Sequence, residues 1–270
     1  MKGRVLIVAG SDSGGGAGIQ ADIKTVTALG GYAATAITAL TAQNTLGVFG
    51  VHPVPPDFIK HQMRLVLDDI GADAIKTGML HDIATIDAVA DVIESCAIRP
   101  RLVVDPVMVA KGGAALLEPG AVSALKRRII NLAALITPNL PEAEKLSGMT
   151  IRDVAEMKHA ASSLLTLGCE AVLLKGGHLE SDTVVDVLAT ADGIVAFEGK
   201  RIKTTSTHGT GCTLASAIAT GLAQGMSLRR AVERARAFVR RALETAPGFG
   251  RGHGPLNHAH AIPPFLPNGV

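Results

Sequence analysis

The sequence predicts an α/β fold with a mostly parallel central sheet. Three observations carry that expectation. Short β-branched runs alternate along the chain with segments of helical spacing, the pattern of βαβ units. The runs end at glycines, an Asp-Pro or other turn residues, which is where ligands bind in such sheets. No composition break marks a linker and no internal repeat is present, so residues 1–270 read as a single domain with a polar Gly/Pro/His tail from about 247.

The elements follow in order. RVLIVAG at 4–10 is a β-branched run closed by glycine and reads as a buried strand. SDSGGGAG at 11–18 carries four glycines in eight residues and reads as a loop that lets backbone approach closely. Residues 19–30 set Ile19, Ile23, Val26 and Leu29 on one helical face and stop at Gly30. YAATAITAL at 32–40 is the next strand. Helices over 55–70 and 82–96 flank a strand at 73–79, and RLVVDPVM at 101–108 is a strand ending at Asp105-Pro106. A helix at 119–130, strand and turn at 133–139, a helix from 141, a helix over 151–168 and a strand at 170–177 continue the alternation. TVVDVLAT and GIVAFEG pair as a hairpin around Ala191-Asp192-Gly193, and the last helices start near 210 and 227.

Composition excludes several classes. With 26 basic and 24 acidic residues the net charge is +2, and no block of like charge argues for nucleic acid or a membrane surface. No Trp, one Tyr and six Phe are too few for a base-stacking platform. Cys96, Cys169 and Cys212 are far apart and odd in number, which suits a reducing compartment rather than a disulfide framework or zinc site. The apolar N-terminal run is too short for a signal sequence, and no apolar stretch has membrane-spanning length. A soluble cytoplasmic protein is expected.

The chemistry-bearing residues cluster at strand ends. Neither a GxxxxGK[ST] loop nor a complete GxGxxG is present, since Ile19 takes the third glycine position. Gly209-Thr210-Gly211-Cys212 opens a helix: bare amides and the helix dipole make an anion hole, and a thiol there is expected to have a lowered pKa. A small buried hydrophobe is the alternative. Asp105, and Asn139 with Glu142 in TPNLPEAE, suit Mg²⁺, which uses one or two carboxylates beside phosphates, although Asn139 and Glu142 equally suit a helix cap. Lys175, between an apolar strand and two glycines, suits a phosphate contact or a solvated strand end. Gln43 offers donor and acceptor on one planar group, which suits a heteroaromatic edge or simple loop bonding. Lys76 reads as structural or solvated, and the tail's HxH is not expected to hold a metal.

Taken together, AGSDSGGGAGIQADIKT (9–25), ITALTAQNT (37–45), IKTGML (75–80), VVDPVM (103–108), LITPNLPEAE (135–144), LLKGGH (173–178) and HGTGCT (208–213) resemble the bacterial hydroxymethylpyrimidine/phosphomethylpyrimidine kinases of thiamine biosynthesis, members of the ribokinase-like superfamily. The resemblance runs from about residue 4 to about 260. It implies a ribokinase-like three-layer α/β/α sandwich and MgATP-dependent phosphorylation of 4-amino-5-hydroxymethyl-2-methylpyrimidine, then of its monophosphate. It implies Cys212 as the base, with Gly209, Thr210 and Gly211 as the anion hole. Lys175 and Gly209 would meet ATP phosphates, and Asn139, Glu142 and Asp105 would order Mg²⁺ and the nucleotide. Gln43 would read the ring edge, Asp22 would bond the amino side, and Gly10, Met79 and Val107 would line the pocket. VAKGGAAL (109–116) is placed like the family's flap. A homodimer is expected by analogy. Pyridoxal kinase of the same superfamily and a non-catalytic pyrimidine binder are the alternatives, and a fused second thiamine enzyme is not expected.

Overall fold

A computed structural model of the protein describes residues 1–110 and 112–263. Lys111, in the middle of the expected flap, lies outside the described residues, as does the tail beyond 263. The strands are β1 (Arg4–Asp12), β2 (Tyr32–Asn44), β3 (Gly47–Pro53), β4 (Ala74–Thr77), β5 (Arg101–Val104), β6 (Leu135–Ile136), β7 (Ala171–Leu174), β8 (Thr183–Thr190) and β9 (Gly193–Lys200). The helices are α1 (Gly18–Ala28), α2 (Pro56–Asp69), α3 (Ile83–Glu94), α4 (Ala121–Arg128), α5 (Leu140–Ser147), α6 (Val154–Leu165), α7 (Thr210–Ala223) and α8 (Leu228–Glu244).

All nine strands form one sheet in the order β3-β2-β1-β4-β5-β6-β7-β8-β9. The six neighbours β2, β1, β4, β5, β6 and β7 run parallel, while the β2–β3, β7–β8 and β8–β9 pairs are antiparallel. The parallel strands therefore bring their carboxyl ends to one edge, and the motifs of the sequence gather there. β1 continues two residues into the glycine-rich segment, because Ser11 and Asp12 still pair with Leu40 and Thr41 of β2. β3 was not expected. Its residues are only partly buried, so no apolar alternation signals it.

The parallel strands β1 and β4 to β7 are covered on both faces, which is why their sequences read as continuous apolar runs. Val5, Ile7 and Ala9 of β1 pack with Leu214, Ala215 and Ile218 of α7 and with α8, whereas Leu6 and Val8 face the layer of α2, α3 and α6. α7 is built of small residues so that it can lie close to its neighbours. A Cβ at Gly221 would stand 2.8 Å from the Ala231 Cβ of α8. The tail folds back on the body: His253 N–H donates to Thr45 O, His208 N–H to Gly254 O, and Thr213 Oγ1 meets buried His258 Nε2 at 2.9 Å. The tail histidines are thus part of the packing, and no group of three or more His, Cys, Asp or Glu suited to a metal is present among the described residues. No helix among them is long and apolar enough to cross a membrane.

Candidate active site

The glycine-rich turn after β1 is organised by one buried side chain. Asp12 accepts from the N–H groups of Gly14, Gly16 and Ala17 at 2.8, 3.1 and 2.8 Å. Its Oδ2 also lies 2.8 Å from His208 Nε2, just before α7. Burial works to raise this carboxyl, but His208 and the backbone donors outweigh it and hold it below the usual range. The loop carries Gly18 at φ +54, where any Cβ would collide with the Gly10 carbonyl. Gly209 stands opposite at φ +83, against the Gly16 carbonyl. Gly18 lets the start of α1 lie against the end of β1, and Gly209 lets the start of α7 lie against the glycine-rich loop.

α7 begins at Thr210, so the amides of its first turn have no acceptor within the helix; Thr210 N–H donates to Thr207 O at 3.5 Å, and Gly209, Thr210 and Gly211 line the cleft. Cys212 sits in that turn, partly exposed on the cleft wall. Its thiol does not have the lowered pKa expected from the helix start. Burial pushes it up to about 12; Lys76 and the Gly18 N–H pull it down, while Asp22 and Asp105 push it further up. Desolvation is the largest cause, and the two nearby carboxylates add to it against the pull of Lys76.

Lys76, read from sequence as structural or solvated, is the largest fully buried side chain among the described residues and lines the cleft floor. Its Nζ lies 2.8 Å from Asp22 Oδ2, with both side chains 0% exposed. Burial disfavours its charge, but Asp22, Cys212 and Asp105 outweigh this and raise its pKa. Ser216 of α7 donates to the other Asp22 oxygen at 2.7 Å. Asp22 is therefore not placed to bond a substrate amino group directly. Its carboxylate is spent on Lys76 and Ser216, behind the cleft wall.

At one end of the cleft, β5, β6 and β7 deliver Asp105, Asn139 and Lys175. Lys175 Nζ donates to Asp105 Oδ1 at 3.0 Å and lies 4.0 Å from Glu142 Oε2. Burial opposes the Lys175 charge, and Asp105 and Glu142 outweigh it and raise the pKa. Asn139 forms a capping box with Glu142: its side chain accepts from Glu142 N–H, and Glu142 Oε2 accepts from Asn139 N–H. Asn139 is thus tied into the start of α5 through one lone pair of its amide oxygen. Glu142 is pushed up to about 7 by burial, against the pull of Lys175 and with Asp105 adding to the rise. Asp105 and Glu142 together fit Mg²⁺, which takes one or two protein carboxylates and completes its shell with phosphates and water.

At the other end stand Gly10, Gln43, Met79 and Val107. Met79 packs with Ala39 and Leu116, and with partly buried Val107 and Ala110, as an apolar floor. A Cβ at Gly10 would lie 3.1 Å from the Met79 sulfur, so glycine keeps that floor open. Around the flap, Ala110 N–H donates to Ala114 O and Leu116 N–H to Met108 O. One cleft of about 830 Å³ joins both ends and takes in Gly209, Thr210, Gly211, Cys212, Lys175, Asp105, Asn139 and Glu142. Asp12 and His208 line it too and were not among the expected site residues. GSDSGG and HGTG displayed them only as flanks of glycine motifs.

The phosphomethylpyrimidine kinase family profile matches residues 12–257. A thiamine biosynthesis bifunctional protein of Geobacter sulfurreducens is 55% identical over 257 residues, which cover 95% of this chain and 52% of the relative. The chain thus spans about half of that protein. The hydroxymethylpyrimidine/phosphomethylpyrimidine kinase of Bacillus subtilis is 48% identical, with 94% of each chain covered. Among solved structures, an ADP complex of Bacillus subtilis pyridoxal kinase superposes with a TM-score of 0.89 at 37% identity, covering 96% of this chain and 98% of that one. The chain belongs to the phosphomethylpyrimidine kinase family.

Proposed function

We propose that this protein is an ATP-dependent kinase that phosphorylates 4-amino-5-hydroxymethyl-2-methylpyrimidine and then its monophosphate, in thiamine biosynthesis. The observation that carries the reading is the single cleft, with Lys175, Asp105, Glu142 and the start of α7 at one end and Gln43, Met79 and Val107 at the other. A non-catalytic binder would have no use for the first set.

Phosphoryl transfer of this kind is positioning and charge stabilisation. The amides of Gly209, Thr210 and Gly211 receive the charge that develops on the transferred group. Lys175 holds the nucleotide phosphates, oriented by Asp105 and Glu142. Those two carboxylates would hold Mg²⁺, which supplies charge neutralisation across the phosphates when bound. Asn139 contributes by fixing Glu142. Cys212 acts as a neutral thiol beside the reacting oxygen rather than as a standing thiolate base, because its proton is held in the free enzyme. Lys76, oriented by Asp22, supplies a fixed positive charge beneath it. Three free thiols fit a cytoplasmic enzyme. Exposed Leu46 and Phe49 around β3 fit a homodimer, which light scattering would test.

ADP release with MgATP tests the activity, with hydroxymethylpyrimidine, its monophosphate and pyridoxal run in parallel and products identified by mass. Turnover of both pyrimidines is expected. Turnover of pyridoxal alone would move the substrate to the pyridine, and no ADP from any of them would overturn the kinase reading.

A further inference from the structure

The contact between Gln43 and His208 contains a proton conflict whose resolution fixes how the cleft reads a ring. His208 is buried, and its ring is wedged so tightly that a Cβ at Gly16 would lie 2.5 Å from its Cδ2. Its Nε2 lies 2.8 Å from Asp12 Oδ2 and 3.2 Å from the Gln43 amide nitrogen. Asp12 is 3% exposed and already accepts three backbone N–H groups, so it is an ionised acceptor with no proton to give. The hydrogen between Asp12 and His208 therefore sits on Nε2. A nitrogen carrying that hydrogen has no lone pair for a second donor, so an amide NH₂ cannot be what faces it.

The two ends of a carboxamide have the same shape, and the hydrogen-bond network decides between them. The other end of Gln43 lies 3.2 Å from Thr41 Oγ1, which also lies 2.9 Å from the Ser11 carbonyl. A hydroxyl has one hydrogen, and the carbonyl can only accept it. Thr41 Oγ1 is then an acceptor toward Gln43. Both neighbours give the same answer: the Gln43 oxygen faces His208 and its NH₂ faces Thr41. The His208 Nε2–H then has Asp12 as its acceptor, one Gln43 amide hydrogen has Thr41, and the Thr41 hydroxyl has the Ser11 carbonyl.

We propose that His208, as its Nε2–H tautomer braced by Asp12, is a positioning residue that locks the orientation of the Gln43 carboxamide and so sets the donor and acceptor order offered to the substrate ring. Its consequence for selectivity rests on the activity proposed above. An aminopyrimidine edge places an amino donor beside a ring-nitrogen acceptor and matches a carboxamide in only one of its two orientations. A site holding buried polar groups in a fixed order rejects rings that lack the matching order.

Two measurements on the full chain test this. Long-range ¹H–¹⁵N correlation of the ligand-free enzyme, with His208 assigned through His208→Gln, reads the tautomer without any substrate. A protonated Nε2 is expected; a bare Nε2 overturns the proposal even if the kinase activity stands. The second compares His208→Leu with His208→Gln, whose amide can keep a donor at the Nε2 position. In the leucine variant kcat/KM for hydroxymethylpyrimidine should fall about 10- to 100-fold through KM, with selectivity over pyridoxal falling alongside, and glutamine should restore most of both. Unchanged selectivity in a folded leucine variant, or equal losses in both variants, also overturns it. Should the parent enzyme turn over no pyrimidine, the tautomer alone decides, and the activity fails separately.

Discussion

In the free enzyme the Cys212 thiol should be inert toward alkylation, despite standing at the start of a helix and lining an open cleft. Burial and the carboxylates of Asp22 and Asp105 push its pKa up to about 12. At pH 8 that leaves a thiolate fraction of about 10⁻⁴, against about one-tenth for a thiol at the ordinary 9.0. Only the thiolate attacks iodoacetamide, so alkylation at pH 8 should be about 10³-fold slower than for a free cysteine peptide. The assay is the rate of carbamidomethylation at Cys212, mapped by mass, between pH 7 and 10. The rate should climb tenfold per pH unit with no plateau in that range. Asp105→Asn removes one of the groups that raise the pKa, so it should speed the reaction. Alkylation within tenfold of the peptide, or a plateau below pH 9, would refute the placement of the carboxylates around the sulfur and restore the thiolate base.

Three other outcomes are expected. Lys76→Met leaves Asp22 buried with Ser216 as its remaining partner and should cost about 3–5 kcal/mol, or about 5–9 °C in thermal midpoint for a chain of this size. Combining it with Asp22→Leu should recover most of that loss, and additive losses in a double-mutant cycle would count against a coupled pair. Glu142 is raised to about 7, so below that pH a proton competes with Mg²⁺; metal-dependent ADP affinity by calorimetry should fall up to about tenfold per pH unit below 7, and Glu142→Gln should flatten the profile. Gly209→Ala forces a side chain into φ +83 against the Gly16 carbonyl, displacing the start of α7; kcat should fall at least about 100-fold, and a change under threefold would argue against the anion hole.

The fold was legible because the parallel strands are buried on both faces. Continuous apolar runs such as AVLL at β7 need no partner to be recognised, and their glycine and Asp-Pro endings mark the edge where ligands bind. β3 escaped because an edge strand with no fully buried residue carries no periodic signal. The glycine-rich loop ending at Gly18 was legible as a close-approach segment, but not that Gly209 is what lies against its Gly16 carbonyl.

The site was legible as residue types and illegible as pairings. Asp12 and His208 lie 196 positions apart, and nothing local says that one is the other's partner. The family resemblance assigned Asp22 to the ligand, yet it is spent on Lys76, 54 positions away, and on Ser216, 194 away. The Cys212 expectation failed for the same reason. Its lowered pKa was argued from the helix dipole and bare amides, the only charges visible within a few residues of GTGC. The groups that decide the matter, Asp22, Lys76 and Asp105, arrive on α1, β4 and the end of β5. A helix terminus contributes roughly half a charge spread over its first turn, whereas burial with two full negative charges acts in the opposite direction. The sign of a buried group's shift is thus set by which distant elements the sheet brings to its carboxyl edge.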